Sequence, residues 1–254
     1  MRLLALLLLG LSLLSGTSLA QPPREALQRY ASGDFLGAAN AAASAADADA
    51  KAFAAQALLA ACIRAEPGEL DALLTRAERA ANMALDIDPH SAEARLQLAL
   101  VYGIRGKRAS LREAFRHDYA DRGRTLIAEA IQLAPDDPRA LAMLGAWHFE
   151  VLRRGGRVGG LIYGARMRDG VAAFEQALRL APGDPMIALH YALALLQRDT
   201  RNGGRAAGLL EAALRASPRD ALDRHAQAEA RRLADVLARS GPHAAAEAAR
   251  ESRF

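Results

Sequence analysis

The chain has 254 residues, 52% apolar and 24% charged, with 33 basic against 29 acidic side chains and one cysteine. This is ample for one domain with a continuous core. A lone Cys62 excludes an internal disulfide, and the small positive surplus gives no bulk charge for holding nucleic acid. The basic residues are almost all Arg, with Lys only at 51 and 107.

The first segment reads as a leader. Arg2 supplies a short basic start, residues 3–14 form an apolar run broken only by Gly10 and Ser12, and Ser18-Leu19-Ala20 places small residues where a signal peptidase reads. The run falls short of the ~20 apolar residues that a membrane span needs. Cleavage is expected after Ala20, which makes the chain periplasmic and leaves 254 − 20 = 234 residues for a single domain over 21–254. No Cys follows the site, so a lipid anchor at a new N-terminal cysteine is excluded.

Beyond the leader the pattern is helical throughout. Gly33-Asp34-Phe35 reads as a turn, with Ala38, Ala42 and Ala45 at helical spacing after it. Residues 51–65 and 71–86 form a helix pair around Glu66-Pro67-Gly68. The next first helix covers 92–102 with Leu98-Ala99 and Tyr102, and its partner carries Gly123, Ile127 and Ala130. Another begins at Pro138 with Leu141, Leu144-Gly145 and His148, and its partner carries Phe174 and Ala177. A third begins at Pro185 with Tyr191 and Ala192, and its partner carries Ala206, Leu210 and Ala213. Asp-Pro at 137–138 and at 184–185 puts a capping carboxylate ahead of a proline suited to the first turn. Residues 221–240 read as a long capping helix, and 243–250 as one short helix more. Cys62, in an Ala-rich stretch, is expected to be a buried and unreactive thiol.

Four prolines, Pro89, Pro135, Pro182 and Pro218, each close an Ala-rich stretch in the frame A-L-x-[LIA]-x-P. That frame resembles the end of the second helix of a tetratricopeptide repeat. The resemblance implies an all-α, right-handed α-solenoid of about five helix pairs, best matched over 92–218. Such repeats bury their apolar faces only by stacking on neighbours. The resemblance further implies a scaffold that binds a protein or peptide partner along its concave groove.

By register, the groove is lined by Leu96, Gln97 and Leu100, then Arg139, Met143, Ala146 and Phe149, then Met186, Leu189, His190 and Leu193. Relatives that clamp a terminal carboxylate use Lys, Arg and Asn at such positions, whereas here only Arg139 is an obvious cation. An apolar helix or extended peptide therefore fits better than a carboxylate. The alternative is a groove filled by the chain's own N-terminal helices or by a second copy.

The least generic feature is a pair of insertions. The closing prolines lie 135 − 89 = 46, 182 − 135 = 47 and 218 − 182 = 36 residues apart, against a period of about 34. The surplus falls inside two helix pairs, at turns that successive repeats present on one edge. The first insertion, near 104–116, carries Arg105, Lys107, Arg108, Arg112 and Arg116. The second carries Arg153, Arg154, Arg157, Arg166 and Arg168 around Leu161-Ile162-Tyr163 and a set of glycines. Two readings are open. Such an edge can dip into an anionic membrane surface or grip an acidic partner. Alternatively both insertions extend their helices, Leu161, Ile162 and Tyr163 pack inward, and the arginines form a solvated rim. Ser110-x-x-Glu113 favours a helix start in the first insertion.

Leu144-Gly145-x-Trp147-His148-x-Glu150, with Tyr163-Gly164-Ala165 after the long insertion, is similar to tetratricopeptide proteins of the regulator of microtubule dynamics type and their secreted bacterial relatives. The similarity covers residues 80–220 and implies no reaction.

No nucleophile elbow, phosphate loop or His-Glu-x-x-His helix is present, and the six histidines never come at ligand spacing. His148 is expected to pack between helices, and His190 to make a polar contact in the groove. No catalysis, cofactor, metal or nucleic acid is expected.

Overall fold

The computed structural model describes residues 22–252; the expected leader lies outside them. Among the described residues all regular structure is helical: α1 Arg24–Ser32, α2 Phe35–Ala43, α3 Ala48–Ala61, α4 Leu70–Ile87, α5 Ala92–Arg108, α6 Leu111–Arg116, α7 Tyr119–Leu133, α8 Pro138–Tyr163, α9 Met167–Leu180, α10 Pro185–Arg198, α11 Gly203–Arg215 and α12 Ala221–Arg250, plus a short 3-10 turn at Thr200–Asn202. They pack as α1/α2, α3/α4, α5/α7, α8/α9 and α10/α11, with α12 capping the last pair. This is an α-solenoid of five pairs.

Local sequence sets each boundary. Gly33 stands at φ 96 between α1 and α2, a left-handed position suited to Gly, and Asp34 then caps α2 by accepting the Gly37 N–H at 2.9 Å. Asp137 accepts the Arg139 N–H at 2.8 Å, and Asp184 those of Met186 and Ile187 at 2.9 and 3.1 Å. These are the Asp-Pro starts read from the sequence. Helices α4, α7, α9 and α11 each end two or three residues before the four closing prolines, because Pro disfavours helical backbone in the residue ahead of it.

Small residues let the helices of a pair approach. A Cβ on Gly145 would stand 2.6 Å from the Phe174 ring, and one on Gly170 would stand 2.9 Å from the Cβ of His148. Phe174 is fully buried and stacks on Tyr191 with ring centroids 4.7 Å apart. Gly123, which occupies a small-residue position of the repeat, differs: a Cβ there would meet nothing within 4 Å.

The two ends of the arc also meet. Arg224 donates to the Ala31 carbonyl at 2.8 Å, His225 lies 6.3 Å from the Phe35 ring, and Ala221 sits in the apolar cluster of the N-terminal pairs. The cap therefore closes against α1 and α2 as well as against α10 and α11.

Candidate interaction surfaces

The expected groove residues divide by exposure. Leu96, Gln97, Phe149, Leu189 and Leu193 are buried, so they lie beneath the first-helix face rather than lining it. The reason is the tight spacing of successive first helices, which turns one side of each into the neighbour's core. Leu100 and Arg139 are exposed, while Met143, Ala146, Met186 and His190 are half-buried. Met143 packs against the cluster of Leu96, Ala130 and Ala140, which joins α5 to α8.

Arg139 is engaged with its own neighbours. Its guanidinium pairs with Glu93 at 2.7 Å and with Asp137 at 2.8 Å. It therefore offers no open clamp for a carboxylate. Burial lowers the His190 pKa to about 4, with a further push from the charge of Lys107, so the imidazole is neutral at ordinary pH. His148 packs as expected: it is buried, meets Trp147 edge-on at 4.9 Å, and its Nδ1 accepts the Arg166 N–H at 3.2 Å. Cys62 is half-buried rather than buried; its thiol donates to the Leu58 carbonyl at 3.3 Å, and partial burial pushes its pKa up to about 11, which suits an inert role.

Both insertions are helical, as one of the two readings of the sequence had it. In the first, α5 runs on to Arg108 and α6 begins with a capping box between Ser110 and Glu113. In the second, α8 continues past Glu150 and breaks at Gly156, whose φ of 57 and ψ of −145 only glycine adopts readily; residues 157–163 then form a short helix of their own. The same reading placed Leu161 and Ile162 against neighbours, and there the structure differs. Leu161 is 87% exposed and Ile162 59%, while Tyr163 alone is half-buried.

The insertion arginines divide as well. Arg153 pairs with Glu150 at 2.6 Å and Arg168 with Asp169 at 3.1 Å. Arg154 turns inward and donates to the carbonyls of Gly106 and Ala109, the latter at 2.6 Å, so it ties α8 to the end of α5. Arg157 and Arg166 make no ion pair among the described residues. Sequence reasoning missed Leu111, Phe115 and Val158 as surface features, although their spacing within α6 and within 157–163 marks one face of each helix.

A shallow cleft of about 520 Å³ lies on α7, α8 and α9, lined by Arg124, His148, Arg166 and Asp169 together with apolar side chains such as Ile131 and Leu144. Arg124 is held there by the Tyr163 carbonyl at 2.7 Å. The cleft has no serine, threonine or cysteine beside a base. Among the described residues no cluster of three His, Cys, Asp or Glu is placed to hold a metal, and no helix is long and apolar enough to cross a membrane.

Stacked pairs with small residues at the crossings and a C-terminal cap define a tetratricopeptide-like helical-repeat protein. A solved structure of that class, the thermophilic TPR protein TTC0263 of Thermus thermophilus, superposes with a TM-score of 0.57 at 18% identity, covering 81% of this chain and 94% of the other. Within the class, the family model of regulator of microtubule dynamics protein 1-3 matches residues 38–238, and the chain belongs to that family. The match reaches beyond both ends of the similarity seen over 80–220. No curated protein matches the chain.

Proposed function

We propose that the chain is an exported, periplasmic scaffold that holds an apolar helix or extended peptide of a partner protein along its first-helix face. The reading rests on one observation above the others. Five stacked pairs present a first-helix surface on which Arg139, the one cation among the expected lining residues, already pairs with Glu93 and Asp137. What remains accessible there is Leu100 and the paired Arg139, with parts of Met143, Ala146, Met186 and the neutral His190. Such a surface favours apolar side chains over a carboxylate clamp. The reading includes no reaction and no cofactor.

The test uses Leu100→Glu combined with Met143→Glu. Both side chains reach the surface, whereas Leu189 is fully buried and a charge there would damage the fold itself. A protein that co-purifies with the wild type after crosslinking in the envelope should be lost from the double variant with helicity retained. Leu100→Glu alone, which spares the packing of Met143 on Leu96, Ala130 and Ala140, should weaken its capture with melting unchanged. Retention of the same protein by the double variant would overturn the groove as its site.

A further inference from the structure

The five most exposed large apolar side chains among the described residues all lie in the two insertions: Leu161 at 87%, Val158 at 68%, Phe115 at 66%, Leu111 at 60% and Ile162 at 59%. Scattered surface apolar residues need no explanation, but two short helices that each turn an apolar face outward do. Leu111 and Phe115 are four residues apart on α6, and Val158, Leu161 and Ile162 follow the i, i+3, i+4 spacing of one helix face.

The glycines explain why the second helix turns this face outward. A Cβ on Gly159 would come within 3.2 Å of the Val151 carbonyl, and one on Gly160 within 2.8 Å of the Leu152 side chain and 3.1 Å of the Ala165 carbonyl. Residues 157–163 thus press their glycine side onto the protein, which leaves the apolar side to the exterior. This inverts the usual arrangement of a surface helix.

The two short helices share one edge. At one end Arg154, just ahead of 157–163, bonds the Ala109 carbonyl just ahead of α6. At the other end burial raises the Tyr163 pKa, and the charges of Asp118 and Asp121, just beyond α6, raise it further. Arg124 of α7 donates to the Tyr163 carbonyl. Arg112 and Arg116 stand one residue on from Leu111 and Phe115, and Arg157 immediately precedes Val158. None of these three makes an ion pair among the described residues.

We infer that this edge is a membrane-docking site: α6 and residues 157–163 lie in the interface of an anionic bilayer, with the five apolar side chains among the acyl chains and Arg112, Arg116 and Arg157 on the lipid phosphates. Protruding side chains with unpaired arginines beside them match a flat anionic surface. An acidic peptide would call for a groove, and the cleft on α7, α8 and α9 includes none of the five. The proposal is independent of the first-helix reading, since none of its residues lies on that face.

The test uses residues 21–254, which include every described helix and omit the apolar leader that would itself enter lipid. Co-sedimentation is measured with phosphatidylcholine vesicles, with and without phosphatidylglycerol. Binding should require phosphatidylglycerol and should fade in 1 M salt, where the Debye length is ~3 Å. Leu161→Glu with Ile162→Glu, and separately Leu111→Glu with Phe115→Glu, should weaken it by more than about tenfold each. Their side chains are already solvated, so folding should be retained. Each of Arg112→Gln, Arg116→Gln and Arg157→Gln should weaken it by about fivefold. No sedimentation with anionic vesicles at low salt would overturn the proposal. So would binding indifferent to the Glu variants, binding to soluble polyglutamate in place of vesicles, or a dimer in solution that the Glu variants dissociate.

Discussion

Replacing Gly145 by Ala tests the packing that builds the repeat. On helix propensity alone the change should stabilise α8 by ~1 kcal/mol. The geometry opposes it: the new Cβ would stand 2.6, 2.8 and 2.9 Å from three atoms of the Phe174 ring. That ring is trapped, fully buried, stacked on Tyr191 at 4.7 Å and set edge-on to Phe149 at 6.0 Å. Overpacking at such a contact costs ~1–3 kcal/mol, so the net effect should be a loss of up to ~2 kcal/mol, or roughly 2–4 °C of Tm for each kcal/mol in a chain of this size. Gly103→Ala supplies the control, because a Cβ there meets nothing within 4 Å in the same kind of helix. It should gain ~0.5–1 kcal/mol. Thermal and urea unfolding of both variants decide the matter. Adding Phe174→Leu to Gly145→Ala should restore part of the loss, a coupling that a double-mutant cycle reads directly. A Gly145→Ala protein as stable as the Gly103→Ala protein would refute the assigned crossing.

Three further outcomes are expected. Gly33→Ala should destabilise the chain by ~1–2 kcal/mol, since Gly33 is left-handed at φ 96 and the new Cβ would approach that of Ala221 to 3.2 Å; urea midpoints check it. Arg154→Ala should free the carbonyls of Gly106 and Ala109 and speed hydrogen exchange around 105–117, with little change in the helices near the C-terminus. Burial holds His148 and His225 below their ordinary pKa and His190 down to about 4. Each holds a proton less readily folded than unfolded, where it protonates below about pH 6.5. Stability is therefore full above that pH and is lost as the pH falls toward 4. Melting should drop from pH 7 to 5, and His190→Asn should flatten that slope.

The repeat frame was legible because its signals are local. Asp-Pro starts, closing prolines and small residues at crossings each act within one turn of helix, and they place α5, α7, α8, α9, α10 and α11. The burial of Leu189 and Leu193 was not legible: register puts a residue on a face, but only the spacing of successive first helices decides whether that face is open. The contact of Arg224 with Ala31 spans 193 residues and depends on the summed curvature of all the pairs, which no short window contains. The insertions were legible as basic and as helical at Ser110. Their outward apolar face was not, because it follows from glycines at 159 and 160 packing where larger side chains usually do. Nor did sequence distinguish Arg154, spent on backbone carbonyls, from Arg157, which makes no ion pair among the described residues.

If the molecule works through its first-helix face and its insertion edge, the two should touch different matter in the cell. A photoreactive residue placed in turn at Leu100, Met143, Phe115, Leu161 and, on the outer side of α7, Gln132 would report what lies against each. Protein adducts at 100 and 143, lipid adducts at 115 and 161, and none at 132 are predicted. Adducts of one kind at all five positions, or none at 100 and 143 when 132 reacts, would contradict the account.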